Sequence, residues 1–69
     1  MEMSDAEILA KALRVMRKKE PLERAVGRIV REQNGKYEDY LRIMDNVRER
    51  AYSRGISPVE AAKELAAQP

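Results

Sequence analysis

The sequence predicts an all-α fold: a compact bundle of three to four short helices, in a single helical domain that covers residues 1–69. Apolar residues recur with a period near 3.6 along most of the chain, which is the spacing that places them on one face of a helix. Prolines and capping residues mark the expected helix starts, and glycines mark the ends. These signals place the helices at about residues 4–19, 21–34, 36–54 and 57–67.

The first predicted helix begins at a capping box, in which the Ser4 hydroxyl accepts the backbone N–H of Glu7 and the Glu7 carboxylate accepts that of Ser4. The cations of residues 17–19 would lie at the negative end of the helix dipole. Pro21 ends the helix, because it lacks an N–H and clashes with the preceding turn. The apolar stripe between these signals consists of Ile8, Leu9, Ala12, Leu13, Val15 and Met16.

Pro21 also opens the second predicted helix, since the first helical position needs no N–H donor. Asn34 and Gly35 stop this helix, and we expect Gly35 to adopt the left-handed conformation of a helix C-cap. Gly27 lies inside the helix, where glycine costs about 1 kcal/mol relative to alanine. That cost predicts a close helix crossing at Gly27. The apolar stripe of the helix is Leu22, Ala25, Val26, Ile29 and Val30.

The third predicted helix is the longest, and Gly55 stops it. The fourth begins at a second capping box that runs from Ser57 to Glu60, with Pro58 at the first helical position. Its apolar residues are mostly alanines, so we expect a short helix that packs as a lid on the others. The apolar face of the third helix consists of Tyr37, Tyr40, Leu41, Met44, Val47 and Ala51.

The composition argues against catalysis. The chain has no cysteine and no histidine, which removes the usual thiolate and imidazole groups. No serine lies beside a plausible base, no glycine-rich phosphate loop is present, and so small a core leaves little room for a substrate pocket. Asp39, Asp45 and Glu49 are carboxylates that a solvated face explains better than a metal site. We expect no enzymatic activity, catalytic residue, cofactor, metal or small-molecule substrate.

No apolar run approaches the roughly 20 residues of a membrane span, and residues 1–5 lack the features of a secretory signal. We therefore expect a cytoplasmic protein with no membrane partner. Charged residues make up 38% of the chain, but the net charge is only +2, which permits nucleic-acid binding without requiring it. Because a core this small is marginal, we expect stabilisation by self-association, as a homodimer.

A row of arginines at i, i+4 and i+7 lies on the second predicted helix, opposite its apolar stripe. Like charges at this spacing slightly destabilise a helix, which suggests that they meet phosphates or carboxylates. Arg17 and Lys18, which we expect at the end of the first helix, would extend the row. The alternative is an ordinary solvated face that Glu20 and Glu32 partly neutralise. The candidate nucleic-acid or anion site is thus Arg24, Arg28, Arg31, Arg17 and Lys18.

A candidate protein interface lies on the third predicted helix. Ile43 lies about 90° from the centre of the apolar face, at 100° per residue, while Arg48 lies inside that face. A partner would cover Ile43 and pair Arg48 with a carboxylate, with Tyr52 at the edge of the interface. The alternative is a helix that packs on two neighbours, with the Arg48 stem over the core and its charged head in water.

The tyrosines have two interpretations as well. Tyr37 and Tyr40 lie on the apolar face of the third helix, where we expect them in the core with their hydroxyls at the surface. The alternative is that tyrosines beside arginines stack on unpaired bases.

Two segments resemble known families. The segment GISPVEAAKELA, residues 55–66, is similar to the first helix of many helix-turn-helix domains. In those domains a recognition helix follows, whereas here only residues 67–69 follow the segment. AVGRIVRE, residues 25–32, with the helices after it, resembles the three-helix ANTAR RNA-binding output domain, although the later apolar spacing does not stay in register. We assign the chain to neither family and transfer no residue roles.

The sequence thus leaves two functions. The favoured one is a small non-enzymatic protein-interaction or regulatory module that self-associates or docks on a larger protein, because of the small core and the mismatch of Ile43 and Arg48. The alternative is a DNA- or RNA-binding regulator that uses the arginine row of the second helix.

Overall fold

The computed structural model describes residues 2–68 and contains four α-helices in that range, with no β-strand. They are α1 (Asp5–Val15), α2 (Leu22–Glu32), α3 (Tyr37–Arg54) and α4 (Pro58–Ala66). α1 packs against both α2 and α4, and α3 packs more extensively against α4 than against α2. The all-α fold is therefore confirmed. Within residues 2–68, no helix combines the length and the apolar character that crossing a membrane requires.

The start of α1 is as predicted, but its end is not. Ser4 Oγ accepts the Glu7 N–H at 3.1 Å, and Glu7 Oε1 accepts the Ser4 N–H at 2.9 Å. The hydrogen bond from the Ser4 backbone lowers the pKa of Glu7. The helix ends at Val15 rather than at residue 19, because Met16 is extended, with φ −60° and ψ 131°.

The residues predicted to form the last turn of α1 instead form a separate turn before Pro21. The Arg17 carbonyl accepts the Glu20 N–H at 3.0 Å, and Lys19 adopts a left-handed φ of 68°. Glu20 Oε1 accepts the Arg17 N–H at 2.9 Å, so this amide is bonded to a side chain and not to a helix carbonyl. The carboxylate of Glu20 therefore opposes the extension of α1 that the sequence pattern suggested.

The corner between α2 and α3 is the one predicted, with a different left-handed residue. The Gly35 N–H donates to the Val30 carbonyl at 2.8 Å, and the Asn34 N–H donates to the Arg31 carbonyl at 3.0 Å. This is the pair of bonds that closes a Schellman C-cap. Its left-handed residue is Asn34, with φ 58°, and not Gly35. Asparagine tolerates this conformation because its short polar side chain forms local hydrogen bonds.

The start of α3 and the helix boundaries after it depend on local hydrogen bonds. The Lys36 N–H donates to Asp39 Oδ2 at 2.8 Å, and this bond is the main reason why the pKa of Asp39 is lowered. Gly55 ends α3 with φ 65°, as predicted. Ser57 Oγ accepts the Glu60 N–H at 3.1 Å at the start of α4. Glu60 Oε1 in turn accepts the Ser57 hydroxyl at 3.3 Å, so the reciprocal backbone bond of a full capping box is replaced by a side-chain bond.

The core is aliphatic, and Ile43 belongs to it. Ile43 is 0% exposed, whereas Tyr37 and Leu41 of the same helix are 71% and 37% exposed. The buried face of α3 is thus rotated from the predicted one, because α3 packs mainly on α4 and brings Ile43 inward. The assignment of Ile43 to an exposed interface is therefore wrong. The buried apolar residues are Ile8, Leu9, Ala12, Leu22, Ala25, Val26, Ile29, Val30, Ile43, Met44, Val47, Ala61 and Ala62.

Ion pairs at the surface connect α3 to α1 and to α4. Arg42 of α3 donates from Nε and Nη2 to the two carboxylate oxygens of Asp5, at 3.0 and 2.9 Å, and from Nη1 to Asp39 at 3.0 Å. Glu64 of α4 accepts two bonds from Arg54, at 3.1 and 2.8 Å, and one from Arg50 at 3.1 Å. The hydrogen bonds from Arg54 are the main reason why the pKa of Glu64 is lowered.

Gly27 of α2 lies beside the Tyr40 ring of α3. A Cβ atom on Gly27 would lie 3.6 Å from Tyr40 Cε1 and 3.7 Å from Cδ1, which are ordinary van der Waals distances. α2 and α3 therefore contact each other here, but not through the close helix crossing that was predicted, because an alanine would fit at this position.

The same substitution is expected to have opposite effects at two glycines. Gly55→Ala should destabilise the fold by about 1 kcal/mol, because an L-residue is strained at a left-handed φ. Gly27→Ala should stabilise it by up to about 1 kcal/mol, because alanine favours a helix interior and the added Cβ has room. Urea denaturation of both variants measures this contrast. A Gly27→Ala variant less stable than the wild type would show that the α2–α3 contact is tighter than described.

Candidate nucleic-acid interface

Arg28, the central residue of the predicted arginine row, is engaged within the fold. Its Nη2 donates to Glu20 Oε1 at 2.9 Å and to the Val15 carbonyl at the end of α1, at the longer distance of 3.4 Å. Arg28 thus links α2 to the last turn of α1 and to the turn that follows it. The Arg28 side chain is half-buried, and the Glu20 carboxylate neutralises its charge. Arg28 is therefore not available to a ligand.

The carboxylate of Glu20 is the partner of this arginine. Its side chain is only 7% exposed and accepts both the Arg17 backbone N–H and Arg28 Nη2, each at 2.9 Å. The bond from the Arg17 amide, with the charges of Arg28 and Arg17, lowers the pKa of Glu20 although burial opposes this. Glu20 therefore stays ionised near neutral pH and neutralises Arg28 rather than Arg24.

The two outer arginines of the row remain exposed. Within residues 2–68, neither Arg24 nor Arg31 forms an ion pair. Glu32, which the sequence suggested as a neutralising group, pairs instead with Lys11 of α1 at 3.7 Å. Arg24 and Arg31 lie seven positions apart, which is about 10 Å along the helix axis.

Further exposed cations lie at both ends of α2. Arg17 and Lys18 lie in the turn before α2, not on α1 as predicted, and Lys36 lies in the corner after it. All of these side chains are exposed, and none forms an ion pair in the described part of the chain. We call the set the basic strip, which consists of Arg17, Lys18, Lys19, Arg24, Arg31 and Lys36.

The charge of the protein is unevenly divided. Residues 14–36 contain eight basic and three acidic side chains, a net charge of +5, whereas the rest of the chain has six basic and nine acidic side chains, a net charge of −3. Two of the three acidic groups of residues 14–36 are bound in the pairs Glu20–Arg28 and Glu32–Lys11. The modest overall charge of +2 therefore conceals a strongly basic segment, residues 14–36, that contains α2.

A groove adjoins the basic strip where α2 meets the start of α3. Its volume is about 500 Å³, which is large enough for a small organic group. Val30 and Gly27 contribute apolar surface from α2, and Arg31 and Lys36 contribute cations. We call it the tyrosine groove, and its lining is Glu23, Gly27, Val30, Arg31, Gly35, Lys36, Tyr37 and Tyr40.

The two tyrosines of this groove stack on each other. Their ring centroids are 5.8 Å apart and the ring planes differ by 19°, which is an offset-stacked arrangement. Tyr40 is partly buried against Gly27, as the apolar pattern of the helix predicted. Tyr37 is 71% exposed, so its assignment to the core is wrong. The difference arises because Tyr37 is the first residue of α3, where α2 has already ended in the Schellman turn.

The residues of the predicted protein interface are not brought together. Ile43 is buried in the core, while Arg48 and Tyr52 are exposed on another side of α3. Arg48 Nη1 lies 3.5 Å from Asp45 Oδ1, a long contact between two exposed groups. Tyr52 is 91% exposed. Arg48 and Tyr52 remain accessible to a partner, but without the isoleucine that was expected in the same interface.

The described residues contain no cluster of three or more His, Cys, Asp or Glu side chains positioned to hold a metal ion. Comparison of the chain with protein families, with curated proteins and with solved structures finds no match. The arrangement of charges and rings around α2 is therefore the observation on which a functional interpretation depends.

The depressed pKa of Glu20 predicts a pH-dependent contribution to stability. Because its folded-state pKa lies below the ordinary glutamate value of about 4.3, the contribution is complete above that value and is lost as the pH falls through the folded-state pKa. Glu20→Gln should therefore be less stable than the wild type at pH 7, and the difference should shrink as the pH falls below the ordinary glutamate pKa.

Urea denaturation across this pH range measures the difference between the two proteins. Glu49→Gln is a matched control, because Glu49 is exposed and forms no ion pair within residues 2–68, so its substitution should matter little at any pH. A Glu20→Gln effect that did not diminish as the pH fell from 7 into the acid range would contradict the assigned role of the carboxylate charge.

Proposed function

We propose that this protein is a non-enzymatic nucleic-acid-binding module, and that the basic strip along α2 holds the phosphate backbone. The observation that supports this proposal is the uneven charge: a net +5 in residues 14–36, with Glu20 and Glu32 already bound in ion pairs. Electrostatic attraction to phosphates supplies most of the affinity in sequence-independent binding. From the sequence alone, nucleic-acid binding was the alternative to the favoured protein-interaction function.

The residue types of the strip suit phosphate rather than base edges. Arg24 and Arg31 each present a planar guanidinium that can donate two parallel hydrogen bonds to a phosphate. The exposed side of α2 carries no Asn, Gln, Ser or Thr before Gln33 and Asn34 at its C-terminal end, and these are the residue types that read bases in the major groove. We therefore propose that the affinity for a duplex depends little on its sequence.

The geometry of the strip supports a contact along a nucleic-acid backbone and not a single anion site. α2 has 11 residues and is about 16 Å long. The turn with Arg17 and Lys18 lies at one end of it, Lys36 lies at the other, and Arg24 and Arg31 lie between them. Several phosphates, rather than one, would be needed to neutralise cations spread over this length.

The proposal predicts which exposed cations matter for binding. Arg24→Ala/Arg31→Ala should weaken binding of a 20-base-pair duplex and reduce the slope of log K against log salt by about 2, one for each lost phosphate contact. Fluorescence anisotropy of a labelled duplex from 50 to 300 mM salt measures this change. The matched control is Arg48→Ala/Lys63→Ala, which removes the same charge from exposed positions outside the strip.

Equal effects of the two double variants would mean that only the net charge matters and that the strip is not a site. Undetectable binding of the wild-type protein at low salt would end the proposal altogether. Polyglutamate that binds as tightly as the duplex of equal charge would indicate an acidic protein partner in place of nucleic acid.

A second candidate is self-association, which the sequence favoured. It is supported by the exposed side of α3, where Leu41, Arg48 and Tyr52 are accessible and Tyr52 is 91% exposed. Tyrosine and arginine are among the residue types that contribute most to protein interfaces. We rank it below nucleic-acid binding, because the burial of Ile43 removes the apolar residue that would have anchored such an interface.

The test of this second candidate is the oligomeric state. If two copies meet through α3, sedimentation equilibrium at tens of micromolar should give a dimer, and Tyr52→Ala/Arg48→Ala should shift it toward monomer. The control is Arg24→Ala/Arg31→Ala, which leaves that side of α3 intact. A wild-type protein that sediments as a monomer over this range would exclude the second candidate.

A further inference from the structure

The geometry points to an unpaired base as the occupant of the tyrosine groove. We infer that Tyr37 is a stacking platform for a base of single-stranded nucleic acid, while Arg31 and Lys36 bind the adjoining phosphates. This inference rests on the proposed function and extends it, because it states which part of a nucleic acid the tyrosine groove binds.

The Tyr37 ring already stacks on a neighbouring ring in the absence of a ligand. One face of it packs on the Tyr40 ring, with 5.8 Å between the centroids, and the Tyr40 ring lies next to Gly27 of α2, where an added Cβ would be at van der Waals distance from it. The Tyr37 side chain nevertheless remains 71% exposed. A supported ring with an open side has little conformational entropy to lose when a base stacks on it, which favours binding.

The charges around the groove match a nucleotide. Arg31 and Lys36 line the same groove as Tyr37, and Glu23 is the only carboxylate among its lining residues. A nucleotide combines an aromatic ring with an anionic phosphate, which corresponds to this combination of a tyrosine with two cations. The volume of about 500 Å³ admits a single base and its sugar.

The base must be unpaired for this contact. In a duplex both faces of each internal base are covered by its neighbours, whereas a single strand leaves base faces free to stack on aromatic side chains. The basic strip binds either form through its phosphates, but the tyrosine groove adds affinity only for the unpaired form. The tyrosine groove should therefore add an affinity for single strands that abasic strands and duplexes do not gain.

Tyr52 provides a control within the same helix. It is also a tyrosine of α3 and is even more exposed, at 91%, but it is not among the residues that line the groove with Arg31 and Lys36. An effect specific to Tyr37 would therefore depend on its position and not on the loss of any exposed aromatic ring.

The experiment compares four labelled probes by fluorescence anisotropy at one salt concentration. They are a 12-residue oligothymidylate, the matching oligouridylate, a 12-residue strand of abasic sites, and a 12-base-pair duplex. For the wild type we expect the two strands with bases to bind at least about fivefold more tightly than the abasic strand, which has phosphates but nothing to stack. The two base-containing strands also show whether RNA or DNA is preferred.

The variants locate the effect. Tyr37→Ala should bring the affinity for the base-containing strands down to that for the abasic strand, with no change for the duplex. Tyr37→Phe should retain the preference, because phenylalanine also stacks, and Tyr52→Ala should behave as the wild type. Quenching of the tyrosine emission of the wild-type protein by oligothymidylate, beyond that by the abasic strand, tests the same stacking without any substitution.

Three results would overturn the inference, and they differ from failure of the proposed function. Equal wild-type affinity for base-containing and abasic strands would show that no base is held. An equal loss with Tyr52→Ala and Tyr37→Ala would show that the groove is not the site. Unchanged binding by Tyr37→Ala would exclude Tyr37. In each case binding of the duplex by the basic strip would still stand, whereas no binding of any probe would remove both proposals.

Discussion

The pairing of Glu20 with the Arg17 backbone and with Arg28 determines the arrangement of the basic side of this protein. The carboxylate accepts the Arg17 N–H and Arg28 Nη2 at 2.9 Å each, and it is almost fully covered. Through the first bond it opposes extension of α1 beyond Val15, and through the second it ties α2 to the turn before it. It thereby moves Arg17 and Lys18 off the helix and removes Arg28 from the exposed arginines, which leaves Arg24 and Arg31 available.

The aliphatic core has a second consequence for the surface. Because none of the buried residues in the described range is aromatic, two of the three tyrosines are left mostly exposed, at 71% for Tyr37 and 91% for Tyr52. Of these two, Tyr37 is supported by a neighbouring ring and is flanked by Arg31 and Lys36. A basic strip and a supported ring thus meet at one end of α2, which is why we propose a nucleic-acid role and place the exposed side of α3 second.

The sequence predicted which residues belong to the candidate site better than it predicted which of them are free and which lie together. It identified Arg24, Arg31, Arg17 and Lys18 as candidate anion-binding residues, and it gave stacking on bases as one interpretation of the tyrosines. It could not show that Arg28 is bound to Glu20, because the chain between them passes through the start of α2, whose direction sets the distance. It placed Ile43 at the surface, because a helical wheel shows which residues share a face but not which neighbouring helix covers that face.

By itself the sequence determined the all-α fold and most helix boundaries, because caps, prolines and glycines act over only three to five residues. It also shows directly that the chain contains no histidine and no cysteine. The early end of α1 and the left-handed Asn34 are the exceptions, since each depends on the local path of the chain. Only the tertiary structure decided which cations are free, that Ile43 is buried and that Tyr37 is open. These properties depend on ion pairs and helix contacts between residues far apart in the chain, and no spacing rule along the chain specifies them.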